Sequence, residues 1–242
     1  MSDGPVARRY GHFGYALSAL LAVITRLSLQ ISMISTLVGQ LMRSNLRRAF
    51  RRVCYVGDWP PPLPERPVVL YANHHYYHDG YLAWLLLREL ERSHIVWMRE
   101  LNRFPLFRST GALPFPEDDA ERRAVTVRTT IRRMRNNPAA TLVYFPEGHM
   151  HPPEEELLAF SPQALQRLNR LFPDAAIWWP VALHATWWGE PHPTALLAGG
   201  APHDAPTGDE RARLTALRET LRESDPRPRR MLLESKQSLF GS

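Results

Sequence analysis

From about residue 66 onward, short β-rich apolar runs alternate with longer segments whose apolar positions recur every three or four residues. Proline, glycine or polar residues bound the short runs, which are predicted to be strands. The predicted strands are 66–72, 94–99, 141–145, 176–183 and 194–200. The predicted helices are 81–92, 117–137, 161–172 and 207–224. This alternation predicts an α/β fold with a mostly parallel central sheet flanked by helices, and functional groups at the carboxyl ends of the strands.

Local signals refine three of these helices. Helix 117–137 is predicted to bury the face formed by Ala124, Val127, Ile131 and Met134. Ser161 is a predicted N-cap followed by Pro162, and Thr207 with Glu210 forms a predicted capping box. The tail from Asp225 is predicted to be irregular.

The N-terminal quarter has a different pattern. Residues 15–42 are mostly apolar with helical period, and Arg26 divides them into uncharged runs of 16 residues, 10–25 and 27–42. A spanning helix needs roughly 20 apolar residues, and a charge at its centre is costly. The pattern favours helices lying in a membrane interface, with an ordinary core-facing helix pair as the alternative. We therefore predict a helical membrane-association segment over 1–58 and an α/β domain over 59–242.

Charge placement supports the membrane interpretation. The chain of 242 residues has a net charge of +6, and all of it belongs to residues 1–66, which hold nine arginines and three acids. These arginines are interleaved with leucine and isoleucine, which favours anionic lipid over nucleic acid. The single cysteine, Cys54, allows neither a disulfide framework nor a thiolate-rich zinc site. We expect a monotopic protein on the cytoplasmic face of a membrane.

Two histidine-rich clusters directly follow predicted strands. In "YANHHYYHDG" (71–80), His74 and Asp79 lie five residues apart and would diverge by roughly 140° on an ideal helix. They can meet only across a loop-to-helix transition. The alternative role for Asp79 is the N-cap of the following helix. We expect His75 and His78 to make structural hydrogen bonds.

The second cluster is "YFPEGHMH" (144–151). Glu147 stands between Pro146 and Gly148 directly after a predicted strand. A turn requires the proline and glycine but not the carboxylate, so Glu147 is predicted to be a positioned functional group.

These residues resemble the glycerolipid acyltransferase superfamily, to which bacterial lysophosphatidic acid acyltransferase belongs. Asn73, His74 and Asp79 match its motif I, and "FPEG" (145–148) matches motif III. "GALPF", which begins at Gly111, resembles motif II, and "WPVAL", which contains Pro180, resembles motif IV. The motifs occur in the family order over about residues 66–200, and the basic apolar N-terminus resembles the family's membrane-docking region.

The resemblance implies transfer of an acyl group from acyl-CoA or acyl carrier protein to a lipid hydroxyl, as in phospholipid biosynthesis. His74 would be the general base and Asp79 would orient it. The resemblance implies neither a metal nor a cofactor. The implied substrate-binding residues are Asn73, Gly111, Phe145, Pro146, Glu147, Gly148 and Pro180.

Two departures from the family pattern concern the acceptor. Motif II normally ends in an arginine, but Pro116 and Glu117 follow here, and His149 and Met150 stand where motif III continues with threonine and arginine. The predicted substitutes for phosphate binding are Arg99, Arg103 and Arg122, with Arg108 and Arg123 nearby. A lysophospholipid acceptor and a neutral or glycosylated lipid therefore both remain open.

Two other functions remain open from the residues alone. One is a metal-dependent hydrolase with His74, His78, Asp79 and His149 as ligands. The other is a non-catalytic membrane-surface protein with a degenerate site.

Overall fold

The computed structural model describes residues 33–60, 63–172, 176–225 and 230–235. Helix α1 covers 33–49, so most of the predicted interfacial run 15–42 lies outside the described residues. Within the described part of the chain, no helix has the combined length and hydropathy needed to cross a bilayer.

The centre of the molecule is an eight-stranded, mostly parallel sheet. Its strands are β1 (Arg52–Tyr55), β2 (Val68–Ala72), β3 (Ser93–Met98), β4 (Ala112–Pro114), β5 (Ala140–Tyr144), β6 (Ile177–Thr186), β7 (Thr194–Gly199) and β8 (Arg230–Glu234). Their order across the sheet is β4-β3-β5-β2-β6-β7-β1-β8. Neighbours are parallel except for β6 with β7 and β1 with β8. The predicted sheet architecture is confirmed.

Helices cover both faces of this sheet. The helices after α1 are α2 (Asp79–Glu89), α3 (Ala120–Asn136), α4 (Pro162–Leu171) and α5 (Glu210–Arg222), with a 3-10 turn at Pro105–Thr110. One core cluster joins α1 and α2 to the sheet, and a second joins α3, α4 and α5 to the other face. Burial on both faces explains why β2 is continuously apolar, "VVLYA".

Helix α1 packs against α2 by one side only. Val38, Met42 and Leu46 are buried in the core, and Gly39 lies against Trp84 of α2. The opposite side exposes an apolar stripe formed by Met33, Ile34, Leu37 and Leu41. Strand β1 follows directly and pairs with β7, so the sheet begins at residue 52, before the domain boundary predicted at 59.

Some local predictions were wrong. The tail forms β8, which pairs with β1 from the opposite end of the chain. Helix α3 buries Thr126, Thr130 and Met134, whereas the predicted Ala124 is exposed. The threonine hydroxyls donate to the Pro114 and Thr126 carbonyls, so these polar groups are hydrogen-bonded although they are buried.

The helix starts were predicted more closely. Ser161 caps α4 by accepting from the Ala164 N–H at 3.2 Å, as predicted. At α5, Glu210 accepts from the Thr207 N–H at 2.6 Å, which forms one half of the predicted capping box. The Thr207 hydroxyl instead donates to Asp209, which is the N-cap residue.

Candidate active site

The catalytic loop, residues 73–78, joins the end of β2 to the start of α2. Asn73 opens it with a fully buried side chain whose Nδ2 donates to the Leu183 carbonyl and whose Oδ1 accepts from the Leu183 N–H, both at 2.8 Å. These bonds fasten the loop to β6. Because the side chain is enclosed, it positions His74 rather than contacting a substrate.

The loop brings His74 and Asp79 together. Nδ1 of His74 lies 3.0 Å from Oδ2 of Asp79. The same oxygen accepts from the backbone N–H groups of His75 at 2.7 Å and Tyr76 at 2.8 Å. The N-cap position of α2 is His78, so Asp79 does not cap the helix and points back into the loop. The loop-to-helix transition required by the spacing is therefore present.

The surroundings of the pair differ for its two members. Asp79 is 0% exposed, whereas the His74 side chain keeps 25% of its surface. Burial raises the pKa of the Asp79 carboxyl, and the hydrogen bonds from His74, Tyr76 and His75 oppose this effect. Since a carboxylate accepts, His74 Nδ1 carries a proton and Nε2 presents a lone pair on the opposite ring edge. This is the tautomer of a general base.

Phe145, at the end of β5, supports the His74 ring from one face. The two rings are stacked, with centroids 4.3 Å apart and planes inclined by 20°. The chain then turns, with the Gly148 N–H donating to the Phe145 carbonyl at 3.1 Å. Gly148 adopts a φ of 75°, which favours glycine, and Pro146 is buried. The turn places Glu147 beneath the catalytic loop.

Glu147 connects the two clusters through the backbone. Its Oε1 accepts from the His74 N–H at 2.7 Å, and its Oε2 accepts from the Leu158 N–H at 2.9 Å. Oε2 also contacts Nε2 of His151, and Glu147 is buried. This carboxylate therefore fixes the position of His74.

Two predicted substrate-binding residues lie away from this pair. Gly111 directly precedes β4, which is three strands away from β2 in the sheet. The strand register aligns Ala112 with Val96, Val143 and Leu70, so Gly111 lies level with the middle of β2 rather than with its carboxyl end. A side chain at Gly111 would collide with the His94 carbonyl, which explains the glycine structurally. Pro180 is buried within β6 opposite Tyr71.

The predicted phosphate-binding arginines already have partners, and Arg99 and Arg103 are exposed while Arg122 is half-buried. Arg99 pairs with Glu117 at 2.7 Å, and Arg103 pairs with Glu100 at 3.3 Å. Arg122 donates to Asn102 at 3.2 Å.

The other four histidines of the two clusters lie in two different environments. Nε2 of His78 lies 2.8 Å from Oδ1 of Asn45 on α1, and His149 is exposed. The described residues therefore do not assemble the ligand set proposed for a hydrolase. His75 and His151 instead lie beside Glu147. Sequence patterns do not predict the contacts of Glu147 with His151 and Leu158, or of Asn73 with Leu183, because those contacts depend on chain packing.

A family model named Acyltransferase matches residues 35–182. The chain belongs to the acyltransferase family. No curated protein sequence matches it. Among solved structures, this acyltransferase is similar to the 1-acyl-sn-glycerophosphate (LPA) acyltransferase PlsC from Thermotoga maritima, with a TM-score of 0.54 and 17% identity. The match covers 81% of this chain and 82% of PlsC. The structural match shows the same α/β fold, and the family model confirms the acyltransferase resemblance.

Proposed function

We propose that this acyltransferase moves an acyl chain from a thioester, acyl-CoA or acyl carrier protein, to a lipid hydroxyl, with His74 as general base. The observation that carries the proposal is the contact between His74 Nδ1 and the buried Asp79 carboxylate at 3.0 Å. Because Nδ1 faces Asp79, Nε2 lies on the opposite edge of a ring that is partly exposed to solvent. A bound acceptor hydroxyl and thioester could therefore reach it.

The proposed chemistry needs few groups. The acceptor hydroxyl gives its proton to His74 Nε2 while its oxygen attacks the thioester carbonyl carbon. The carbon–sulfur bond then breaks, and the leaving thiolate takes the proton from the imidazolium. Asp79 stabilises that imidazolium and holds the tautomer, and Glu147 and Phe145 hold the ring in place. General-base catalysis of this kind contributes roughly 10²–10⁴-fold.

We propose a neutral or glycosylated lipid as the preferred acceptor. Glu117 follows the motif II segment, where the family pattern has an arginine, and it neutralises Arg99. Arg103 and Arg122 also engage neighbouring side chains. A phosphate would have to replace these interactions before gaining its own charge-assisted bonds.

The test is acyl transfer from labelled acyl-CoA to a panel of acceptors by the full chain. We expect neutral or glycosylated lipids to be acylated with higher kcat/KM than their phosphate-bearing counterparts of equal chain length. A preference for the phosphate-bearing acceptors would contradict the acceptor assignment. The panel is repeated with labelled acyl carrier protein as donor, and failure of every acceptor with both donors would contradict the transferase proposal.

We also propose that the protein lies on a membrane surface through α1. The apolar stripe of α1 is exposed, and Arg47 and Arg48 are exposed one to two turns further along the same helix. Exposed apolar side chains next to cationic ones suit an interfacial helix on anionic lipid. This arrangement would keep the active site close to lipid substrates.

Vesicle flotation tests this surface without disturbing the core. L37E and L41E should each weaken binding to anionic vesicles, because they place a negative charge in the apolar stripe. L171E is the matched control, since Leu171 is an exposed leucine of α4 on the other face of the sheet. Equal flotation of all three variants would contradict α1 as the docking surface.

A further inference from the structure

Three potential metal ligands are buried together behind the catalytic loop. His75, Glu147 and His151 are 7%, 6% and 9% exposed. Each offers one ligand atom within 4.8 Å of the others. The trio joins two segments that are far apart in sequence, the loop after β2 and the loop after β5. None of the interactions in the proposed acyl-transfer step uses either histidine side chain.

His75 is held in a tautomer that suits a metal ligand. Its Nδ1 lies 3.2 Å from the carbonyl oxygen of His151. A carbonyl only accepts, so Nδ1 carries the proton and Nε2 carries the lone pair. Within the described residues, this buried Nε2 has no hydrogen-bond partner. Metal-binding histidines typically donate their other ring nitrogen to a carbonyl or carboxylate in this way.

The other two ligands are also oriented from outside the trio. Backbone N–H groups of His74 and Leu158 hold the Glu147 carboxylate at 2.7 and 2.9 Å. His151 contacts Glu147 through Nε2, while its buried Nδ1 has no hydrogen-bond partner in the described part of the chain. The nearest carboxylate to that Nδ1 is Glu155, at 3.8 Å. Among the described residues, the buried Nε2 of His75 therefore remains without a partner beside the Glu147 carboxylate, which is costly without a ligand.

Charged groups of both signs surround the trio. Burial lowers the pKa of His75 to about 4, and Arg218, His151 and His184 contribute to the lowering. The neutral imidazole is the form that binds a metal. On the positive side, the guanidinium groups of Arg218 and Arg222 donate to the carbonyl of Pro153. On the negative side, Glu147 is buried within the trio and Glu155 lies 3.8 Å from His151.

We propose that His75, Glu147 and His151 bind one divalent transition-metal ion, with Zn²⁺ the best match to two imidazoles and a carboxylate. Imidazole nitrogen and carboxylate oxygen are both zinc ligands, and zinc tolerates a site with three protein ligands. The ion fastens the loop after β5 to the loop after β2. Because Glu147 also holds the His74 backbone, the site stabilises the position of the catalytic loop without taking part in acyl transfer.

Zinc titration of the untagged full chain tests this site directly. The protein is stripped with a chelator, returned to buffer and titrated with Zn²⁺ against a chromophoric competitor. We expect one equivalent to bind. At a free zinc concentration of 100 times Kd, linkage predicts that the unfolding temperature rises by about 5–10 °C. Co²⁺ should bind in its place and give visible ligand-field absorption.

Three variants locate the site. H75A and H151A should each weaken Zn²⁺ binding by roughly 100-fold or more, because each removes one of three ligands. H149A is the matched control: His149 is exposed, lies two residues from His151 and should leave binding unchanged. Absence of stoichiometric binding in the wild type would overturn the proposal, whatever the variants do. Binding that H75A retains, or that H149A abolishes, would place the ion elsewhere and overturn it as well.

Discussion

Two groups of polar side chains lie at the carboxyl edge of the sheet, and they are built in opposite ways. In and around the catalytic loop, Asn73, Asp79 and Glu147 are buried and bonded to backbone groups. In the arginine group, Arg99, Arg103 and Arg122 are partnered on the surface by Glu117, Glu100 and Asn102. The first arrangement is preorganised, whereas the surface arginines can readily exchange their partners for water or other groups. Substitutions in and around the loop should therefore lower kcat or stability, whereas substitutions of the arginines should change kinetic constants only slightly.

The largest effect after loss of His74 itself is expected for D79N. The amide oxygen can still accept from the loop, but the charge that holds the Nδ1–H tautomer and the imidazolium is lost. We expect kcat to fall by about 10- to 100-fold, less than for removal of the base. Initial rates with labelled acyl-CoA measure this. An unchanged kcat would remove Asp79 from the mechanism.

N73A tests whether the loop is anchored to β6. The substitution leaves the buried N–H and carbonyl of Leu183 without their partner, which should lower the free energy of unfolding by about 2–4 kcal/mol. Urea unfolding measures the change. N102A is the control, because Asn102 is exposed and its side chain accepts from Arg122 at the surface. Equal stability of both variants would mean that the loop does not depend on Asn73.

Lowering the pH should reduce the free energy of unfolding through His75, which is buried behind the catalytic loop, whereas the arginines stay charged. Burial lowers the pKa of His75 to about 4, from the ordinary histidine value of about 6.5. Between these values the unfolded chain binds more protons than the native state, so stability present above pH 6.5 is lost as the pH falls towards 4. We expect a loss on the order of 2 kcal/mol from this residue. Chelator-treated H75N should show a flatter dependence of unfolding free energy on pH than wild type.

The smallest effect is expected for R99A. If the acceptor is a neutral lipid, its KM should change by less than about twofold, because an exposed ion pair contributes little. E117A is the matched control and should behave alike. An increase in KM of about tenfold or more for a phosphate-bearing acceptor in R99A would indicate a direct charge-assisted contact. That result would make the arginine group part of the site.

The same contrast explains what could be predicted from sequence. Strands β2 and β5 and the cluster at each strand end follow from local patterns, because buried parallel strands are continuously apolar and their ends face one edge. Strand β8 could not be predicted, since "RMLLE" pairs with β1 some 180 positions earlier in the chain. On α3, Met134 and Ile131 of the predicted face do contact the core, but the burial of Thr126 and Thr130 was missed because their hydroxyls are satisfied internally.

Within the site, the resemblance to motif I paired His74 with Asp79, but it could not identify the residues that hold this pair in place. The bonds of Glu147 to the His74 and Leu158 backbones, and of Asn73 to Leu183, depend on how distant segments pack. Gly111 illustrates the reverse case. Its motif suggested a substrate contact, yet its conformation and the nearby His94 carbonyl account for the glycine.

The central claim is that His74 is the base for acyl transfer, and H74A tests it most directly. The measurement is the initial rate of labelled acyl transfer to the best acceptor of the panel, alongside the thermal unfolding of both proteins. The account predicts a fall in kcat of roughly 10²–10⁴-fold with an unfolding temperature close to wild type, because the His74 ring is partly exposed. Retention of wild-type kcat by a folded H74A protein would contradict it.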